Sequence, residues 1–333
     1  MSKKPLVSII TLTYNHEDFI ADCIDSVLAQ DYQNWEQIII DDGSTDSTEK
    51  VVSKYKDARI IYAKQENKGI WNLYKNYNKA LELSKGDLIA ILEGDDFWPP
   101  SKLSKQIIAF EDPEVVLSWG NAYIANKNGN IIERHHHDVF KPNESIDGDV
   151  ILKKILFSNF IPACTVLCRK NTLIKIRGFK QPKNYPTVDR PTWIQLSEEG
   201  KFYYSNEILG YWRRHGNQIT AKKKLEMITA SGAYSSYFFN NLPQSKKDRL
   251  EIKVEDIIKK NNQKISNVYF HMGRVALYEK DWKTSKKNFE EAFNKGNFSL
   301  KTKSIIGIIF SYIKLNFEWI ATILKYPQLN DLY

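Results

Sequence analysis

Gly86-Asp87-Leu88-Ile89-Ala90-Ile91-Leu92-Glu93-Gly94-Asp95-Asp96-Phe97-Trp98 carries a short apolar run directly into adjacent carboxylates. Residues 88–92 are too few and too β-branched for a helix, which predicts a buried strand. An unpaired carboxylate at such a place costs several kcal/mol, so a cation is expected to hold it. Asp95 and Asp96 therefore read as ligands of a hard divalent metal, Mg2+ or Mn2+, which favours oxygen donors. The plainer alternative makes them caps of a helix that opens at Pro99-Pro100-Ser101.

Upstream, residues 35–40 form a second apolar run that ends in Asp41-Asp42-Gly43-Ser44-Thr45-Asp46-Ser47-Thr48. Asp46 or Ser47 serves as a helix cap there, which leaves Asp41 and Asp42 unexplained. A third run, residues 6–12, ends in Thr13-Tyr14-Asn15-His16 and leads into the helical spacing of Phe19, Ile20, Cys23, Ile24, Val27 and Leu28. Three such units predict an α/β fold with a mostly parallel sheet and helices on both faces. Ligands of these sheets sit beyond the carboxyl ends of the strands, where all three polar loops fall, and a nucleotide is the natural guest.

Val7-Ser8-Ile9-Ile10-Thr11-Leu12-Thr13-Tyr14-Asn15, Asp41-Asp42-Gly43-Ser44-Thr45-Asp46, Asn67-Lys68-Gly69 and Glu93-Gly94-Asp95-Asp96 occur in that order. In order and spacing they resemble the signatures of glycosyltransferase family 2, the inverting GT-A enzymes, across roughly residues 5–220. The resemblance implies a nucleotide-sugar donor. By position Tyr14, with Thr13, resembles the residue lying against the base, and Asp42 the carboxylate that hydrogen-bonds it. Glu93-Gly94-Asp95 stands where the family writes Asp-x-Asp, with Asp95 facing the metal and Asp96 a second candidate ligand. Glu93 replaces the commoner Asp, and its longer side chain reaches the ribose differently. Asn67, Gly69, Lys75 and Asn76 occupy the loop and helix that the family places near the donor.

Thr187-Val188-Asp189-Arg190-Pro191-Thr192-Trp193 resembles the family's acidic segment ahead of a Trp-containing helix, which makes Asp189 the candidate catalytic base. Its bland alternative is a surface ion pair with Arg190, contributing under about 1 kcal/mol. Tyr211-Trp212-Arg213-Arg214-His215 resembles the arrangement that closes over the diphosphate. It suggests His215 as a third metal ligand and Arg213 or Arg214 as a phosphate clamp. The chemistry implied is direct displacement, with Asp189 taking the acceptor proton and the anomeric centre inverting. UDP-sugars are the family's common donors. A glycan or a lipid-linked precursor of cell-surface polysaccharide is the expected acceptor.

The 333 residues, 42% hydrophobic, are enough for one large domain and a smaller one. The expected division is a catalytic domain over 1–220, with a donor half at about 1–110 and an acceptor half at about 111–220, followed by a helical region over 221–333. Cys23, Cys164 and Cys168 form no disulfide framework, and the start at Met1-Ser2-Lys3-Lys4-Pro5 shows no signal peptide. A cytoplasmic enzyme is expected. Residues 115–124 with the Asn128-Gly129 turn predict a hairpin, 160–169 a strand, and 201–204 and 208–210 two further strand-like segments. His135-His136-His137 cannot all face one ion from a strand and reads as a polar acceptor loop.

Residues 221–333 hold 20 Lys and Arg against 11 Asp and Glu, a net of +9, while the rest of the chain nets −1. No nucleic-acid motif accompanies this charge, so nucleic acid is not an expected partner. Residues 269–295 resemble one tetratricopeptide-like helix pair, with helices at 225–239 and from 301 onward as neighbours; a plain helical subdomain explains the pattern as well. The run from Ser304 to Ile313 is too short to span a bilayer. With Lys301, Lys303, Lys314 and Lys325 around it, the segment 301–325 is expected to lie on the inner face of a membrane or to form a homo-oligomer. A sugar nucleotidyltransferase is the alternative enzyme, though its Gly-rich basic loop after the first strand is missing. A non-catalytic nucleotide-sugar-binding module is the other alternative.

Overall fold

The computed structural model describes residues 4–135, 140–216 and 218–315. The chain divides into two compact units, Met1–His215 and Gly216–Tyr333.

The first unit is built on nine strands: β1 (Val7–Thr13), β2 (Trp35–Asp41), β3 (Ile60–Lys64), β4 (Leu88–Ile91), β5 (Val115–Ala125), β6 (Ile131–His135), β7 (Glu144–Ile146), β8 (Leu167–Arg169) and β9 (Lys201–Arg213). Their order is β3-β2-β1-β4-β8-β5-β9-β7, with β6 on β5. Strands β1 to β4 are parallel, as their apolar runs predict. Every residue of β1 and β2 is buried, the signature of strands covered on both faces. Helix α1 (Ile20–Leu28) places Ile20, Cys23, Ile24 and Val27 into one cluster with Ile9, Trp35 and Leu103. Each such aliphatic side chain contributes about 1.5–3 kcal/mol relative to exposure.

The other half of the sheet is mixed. Strand β8 runs antiparallel to both β4 and β5, β9 runs parallel to β5, and β7 antiparallel to β9. The strand expected over 160–169 is shortened to the three residues of β8, because Pro162 leads into a 3-10 turn at Ala163–Thr165. The two segments expected at 201–204 and 208–210 are one strand, β9, bent by register shifts opposite Gly120 and Asn121. The predicted hairpin forms as β5 and β6 around Gly129, whose φ of 83° suits a residue without a Cβ. His135 ends β6, and His136 and His137 lie outside the described residues.

The remaining helices of this unit are α2 (Thr48–Val52), α3 (Leu73–Leu83), α4 (Lys102–Ile107), α5 (Gly148–Ile155), α6 (Lys170–Lys175) and α7 (Asp189–Leu196). Helix α4 begins six residues beyond Asp96, so neither Asp95 nor Asp96 caps it.

The second unit is helical: α8 (Ile219–Lys222), α9 (Lys224–Asn240), α10 (Gln244–Leu250), α11 (Val254–Tyr278), α12 (Trp282–Lys295) and α13 (Phe298–Ile313). Helix α9 packs on α11, and α12 packs on both α11 and α13. Phe289 of α12 is gripped between helices that approach closely; a Cβ at Gly273 or Gly307 would lie 2.9 or 2.6 Å from its ring. Helix α13 buries Leu300, Ser304, Gly307 and Ser311, a stripe of mostly small residues. Its large apolar residues Ile305, Ile306, Ile309, Tyr312 and Ile313 are exposed instead. Among the described residues no helix is long and apolar enough to cross a membrane. Residues 316–325 of the expected surface segment lie outside the described residues.

Candidate active site

The parallel strands deliver their carboxyl ends to one edge. Pairing runs past β4, with Leu92 N donating to Ile10 O at 3.0 Å and Gly94 N to Leu12 O at 2.9 Å, while Asp42 N donates to Thr13 O at 2.9 Å. Thr13, Asp42 and Glu93-Gly94-Asp95 are thereby set side by side. A Cβ on Gly94 would lie 2.9 Å from both Thr13 Oγ1 and His16 Nδ1, so only glycine fits there. Both of those atoms are buried with no hydrogen-bond partner. A buried polar atom without a partner costs about 1–3 kcal/mol, and a cradle with two of them invites a polar ligand.

The loop after β1 is tied to the loop after β2. Asn15 Oδ1 accepts from Thr45 N at 2.8 Å, Asn15 N donates to Ser44 Oγ at 2.9 Å, and His16 N donates to Thr48 Oγ1 at 2.9 Å. Asp41 and Asp42 act on main chain. Asp41 Oδ1 accepts from Ser44 N at 2.7 Å, and its other oxygen accepts from the Tyr62 hydroxyl. Asp42 accepts from Lys68 N at 2.9 Å and from Gly69 N at 3.1 Å, holding the loop that carries Asn67 and Gly69. Gly69 takes a φ of 70°, open to glycine. Tyr14 is 47% exposed at the mouth of this group. Asn76 is buried in α3, its Oδ1 accepting from Gln65 and its Nδ2 without a partner, whereas Lys75 points to solvent.

The three residues expected to hold a metal do not converge. His215 Nε2 lies 3.0 Å from Asp95 Oδ2, a side-by-side pair of donors. Asp96 is turned elsewhere: its Oδ1 accepts from the main-chain N–H of Arg213 at 2.8 Å. Burial pushes the Asp96 carboxyl well above the usual range, helped by the charge of Asp95. Among the described residues no group of three or more His, Cys, Asp and Glu side chains is gathered to hold an ion. His16, to which the sequence assigned no role, faces this pair, its ring centroid 6.4 Å from that of His215. Burial lowers the His16 pKa and Asp95 opposes that shift.

Arg213 is held within the protein. Its Nε donates to Asp95 O at 2.9 Å, Nη1 to Lys127 O at 2.8 Å and Nη2 to Asp22 Oδ2 at 2.6 Å. The guanidinium lies 5.0 Å from the ring centroids of both Phe19 and Phe97. Each of the three nitrogens of this buried side chain serves a protein acceptor, so Arg213 ties the end of β9 to the strand ends of the site. Arg214 is the exposed neighbour, 3.7 Å from Glu133 and stacked over Trp212.

Asp189 opens α7. Burial first, then the charges of Asp95 and Asp189, raise the Glu93 carboxyl well above its ordinary value. Glu93 also accepts from the Tyr77 hydroxyl. The ion pair with Arg190 is not formed by hydrogen bonds: Arg190 donates to the carbonyls of Ile155 and Leu156, both at 2.8 Å. Asp189 Oδ2 instead accepts from Asn159 Nδ2 at 2.7 Å, and Oδ1 is buried with no partner. Asn159, Tyr77 and His16 went unnoticed in the sequence because each acts on a residue from another element. Only His16, beside Thr13-Tyr14-Asn15, had a local signal.

The family model for glycosyl transferase family 2 matches residues 8–173. WfaP of Escherichia coli, a UDP-Glc:alpha-D-GlcNAc-diphosphoundecaprenol beta-1,3-glucosyltransferase, is 33% identical over 235 residues, covering 69% of this chain and 86% of its own. TuaG of Bacillus subtilis, a putative teichuronic acid biosynthesis glycosyltransferase, is 33% identical over 224 residues, 66% of this chain and 83% of its own. Two solved structures share the fold. The mannosyltransferase PcManGT of Pyrobaculum calidifontis, in complex with GDP-Man and Mn2+, aligns with a TM-score of 0.59 at 16% identity, covering 100% of this chain and 88% of that one. TarS 1-349 of S. aureus, in complex with UDP-GlcNAc, aligns at 0.57 and 15%, covering 92% and 89%. Similarity to WfaP over most of both chains, and a family match running from β1 into α6, place the acid-bearing strand ends in their lineage: the chain belongs to glycosyl transferase family 2.

Proposed function

We propose that this glycosyltransferase inverts the anomeric centre of a UDP-sugar, with Asp189 as base, and passes the sugar to a lipid-linked glycan for cell-surface polysaccharide. The observation that carries the reading is the cradle at the strand ends, where the unpartnered Thr13 Oγ1 and His16 Nδ1 lie beside the Asp95–His215 pair. A donor diphosphate at Asp95 and an acceptor hydroxyl at Asp189 then meet across one sugar. The UDP-glucose and GlcNAc-diphosphoundecaprenol in the names of WfaP and of WfgD, a further relative from Escherichia coli at 30% identity, favour those substrates. Thr13, Tyr14, Asp42, Asn67, Gly69, Asn76 and Glu93 line the donor side on this reading. Tyr14 offers its exposed ring to the base, and Asp42 works through the loop it holds. Arg214, in place of Arg213, is the phosphate contact.

A divalent metal fits the residues present. Asp95 Oδ2 and His215 Nε2 are adjacent donors, and Mg2+ or Mn2+ takes one or two protein ligands with the remainder from diphosphate and water. When bound, such an ion neutralises charge growing on the departing nucleoside diphosphate. Asp189 Oδ1, buried and without a partner, accepts the proton of the attacking hydroxyl. A placed base contributes about 10²–10⁴-fold in rate. The first unit is the catalytic domain on this reading, and the second brings the exposed apolar face of α13, within the net +9 of residues 221–333, to an anionic lipid surface.

The test is release of UDP from UDP-glucose and UDP-GlcNAc, with Mn2+ or Mg2+ and a GlcNAc-diphosphate lipid. Asp189→Asn is expected to lower kcat by about 10²–10⁴-fold with donor KM nearly unchanged. Asp95→Asn is expected to lose both kcat and the response to metal. Release by both variants at the rate of the native protein would overturn the assignment.

A further inference from the structure

Asp189 is gripped from one side only. Asn159 Nδ2 donates to Asp189 Oδ2 at 2.7 Å, while Asn159 Oδ1 accepts from Ile161 N at 3.2 Å, which fixes the direction in which the amide faces. The segment that carries Asn159 follows α5, and Arg190 binds the end of that helix through the carbonyls of Ile155 and Leu156. Residues 189 and 190 thus hold the same stretch of chain by two independent contacts. The carboxylate is left with one oxygen engaged and the other buried without a partner.

We propose that Asn159 is a positioning residue for the transfer reaction: its amide holds the Asp189 carboxylate so that Oδ1 alone faces the acceptor hydroxyl. The inference rests on Asp189 as base. A carboxylate free to rotate about its last torsion spreads its two oxygens over many directions. A single donor on Oδ2 removes that freedom before substrate arrives, and geometric placement of this kind is where much of a base's advantage lies. Both polar atoms of the Asn159 side chain are engaged within the protein, by Asp189 and Ile161. Among the described residues, Glu93 from beyond β4 and Arg190 in its own helix interact electrostatically with Asp189, and Tyr185 with Arg190.

Two variants test this, with UDP release from UDP-glucose read against water and against a GlcNAc-diphosphate lipid. Asn159→Ala removes the donor and is expected to lower kcat about tenfold at unchanged donor KM. Asn159→Asp is nearly isosteric and puts a second carboxyl against Oδ2. Two carboxyls so close share a proton, so the acid limb of its pH–rate profile is expected to move up by about one pH unit. Calorimetric binding of UDP should match the native protein in both. Native kcat and an unmoved acid limb in both variants, beside an inactive Asp189→Asn, would overturn the role of Asn159 and leave the base standing. Loss of UDP binding with kcat would also overturn it, as general distortion. An Asp189→Asn variant as active as the native protein would overturn the base and this inference together.

Discussion

Lys102 is fully buried, and among the described residues no carboxylate meets it. Its Nζ donates to Val166 O at 3.3 Å and lies 4.0 Å from the centroid of the Trp98 ring. Burial brings the ammonium pKa down to about 7 from an ordinary 10.5. Between these values the unfolded chain binds a proton that the folded chain lacks, so stability rises with pH across about 7 to 10.5. Below that window both states are charged, and the folded state carries the whole cost of a buried cation. Lys102→Met should therefore raise the Tm at pH 7 by roughly 5 °C and flatten its rise toward pH 10. Scanning calorimetry at several pH values reads this directly; a variant with the native slope refutes it. Asp95 and Asp96 differ in the same local way, since neighbours in sequence are not neighbours in environment.

Among the elements, the end of β9 joins most parts of the site. Arg213 leaves that strand to meet Asp95, Lys127 and Asp22, while its main-chain N–H meets Asp96. Phe97 stacks on Tyr211 at a centroid distance of 4.5 Å, and an isolated bridge pairs their backbones. His215, two residues on, is thereby delivered to Asp95. A lysine keeps the charge of Arg213 but not its planar fork. Arg213→Lys should cost about 3 kcal/mol in urea unfolding, since breaking one side of a buried charged network leaves groups without partners. An unchanged midpoint would contradict this account of β9. The small-residue stripe of α13 shows the converse arrangement, a helix that packs through Ser304, Gly307 and Ser311 and leaves its isoleucines out.

At the scale of the whole molecule, the basic surplus and the outward isoleucines fall in one unit, and the acids of the candidate site fall in the other. If α13 meets lipid as proposed, Ile305→Glu with Ile309→Glu should weaken sedimentation of the full chain with phosphatidylglycerol vesicles at least tenfold, because each buried isoleucine contributes about 1.5–3 kcal/mol. Binding to neutral phosphatidylcholine vesicles should be weak for both proteins. Equal binding of variant and native chain to the anionic vesicles would remove the lipid reading, and a loss of self-association in the variant would replace it with a homo-oligomer.

Strands that end in acids are local events, so residues 88–96, 35–42 and 6–13 could be read in order as three strand ends before any contact was known. The apolar runs dictate burial, and a parallel sheet brings such ends to one edge. The hairpin at Gly129 and the helices from Lys224 to Ile313 are equally local. What the linear pattern left open was decided by partners far away in the chain. Asp96 is bound by a main-chain N–H 117 residues downstream, Arg213 is engaged by Asp95, Lys127 and Asp22, and Asp189 acquires Asn159 in place of Arg190. The antiparallel insertion of β8 belongs to the same class, because three residues carry too little pattern to state which neighbours they pair with. Periodicity and charge are properties of a stretch of chain. A hydrogen-bond partner is a property of the folded whole.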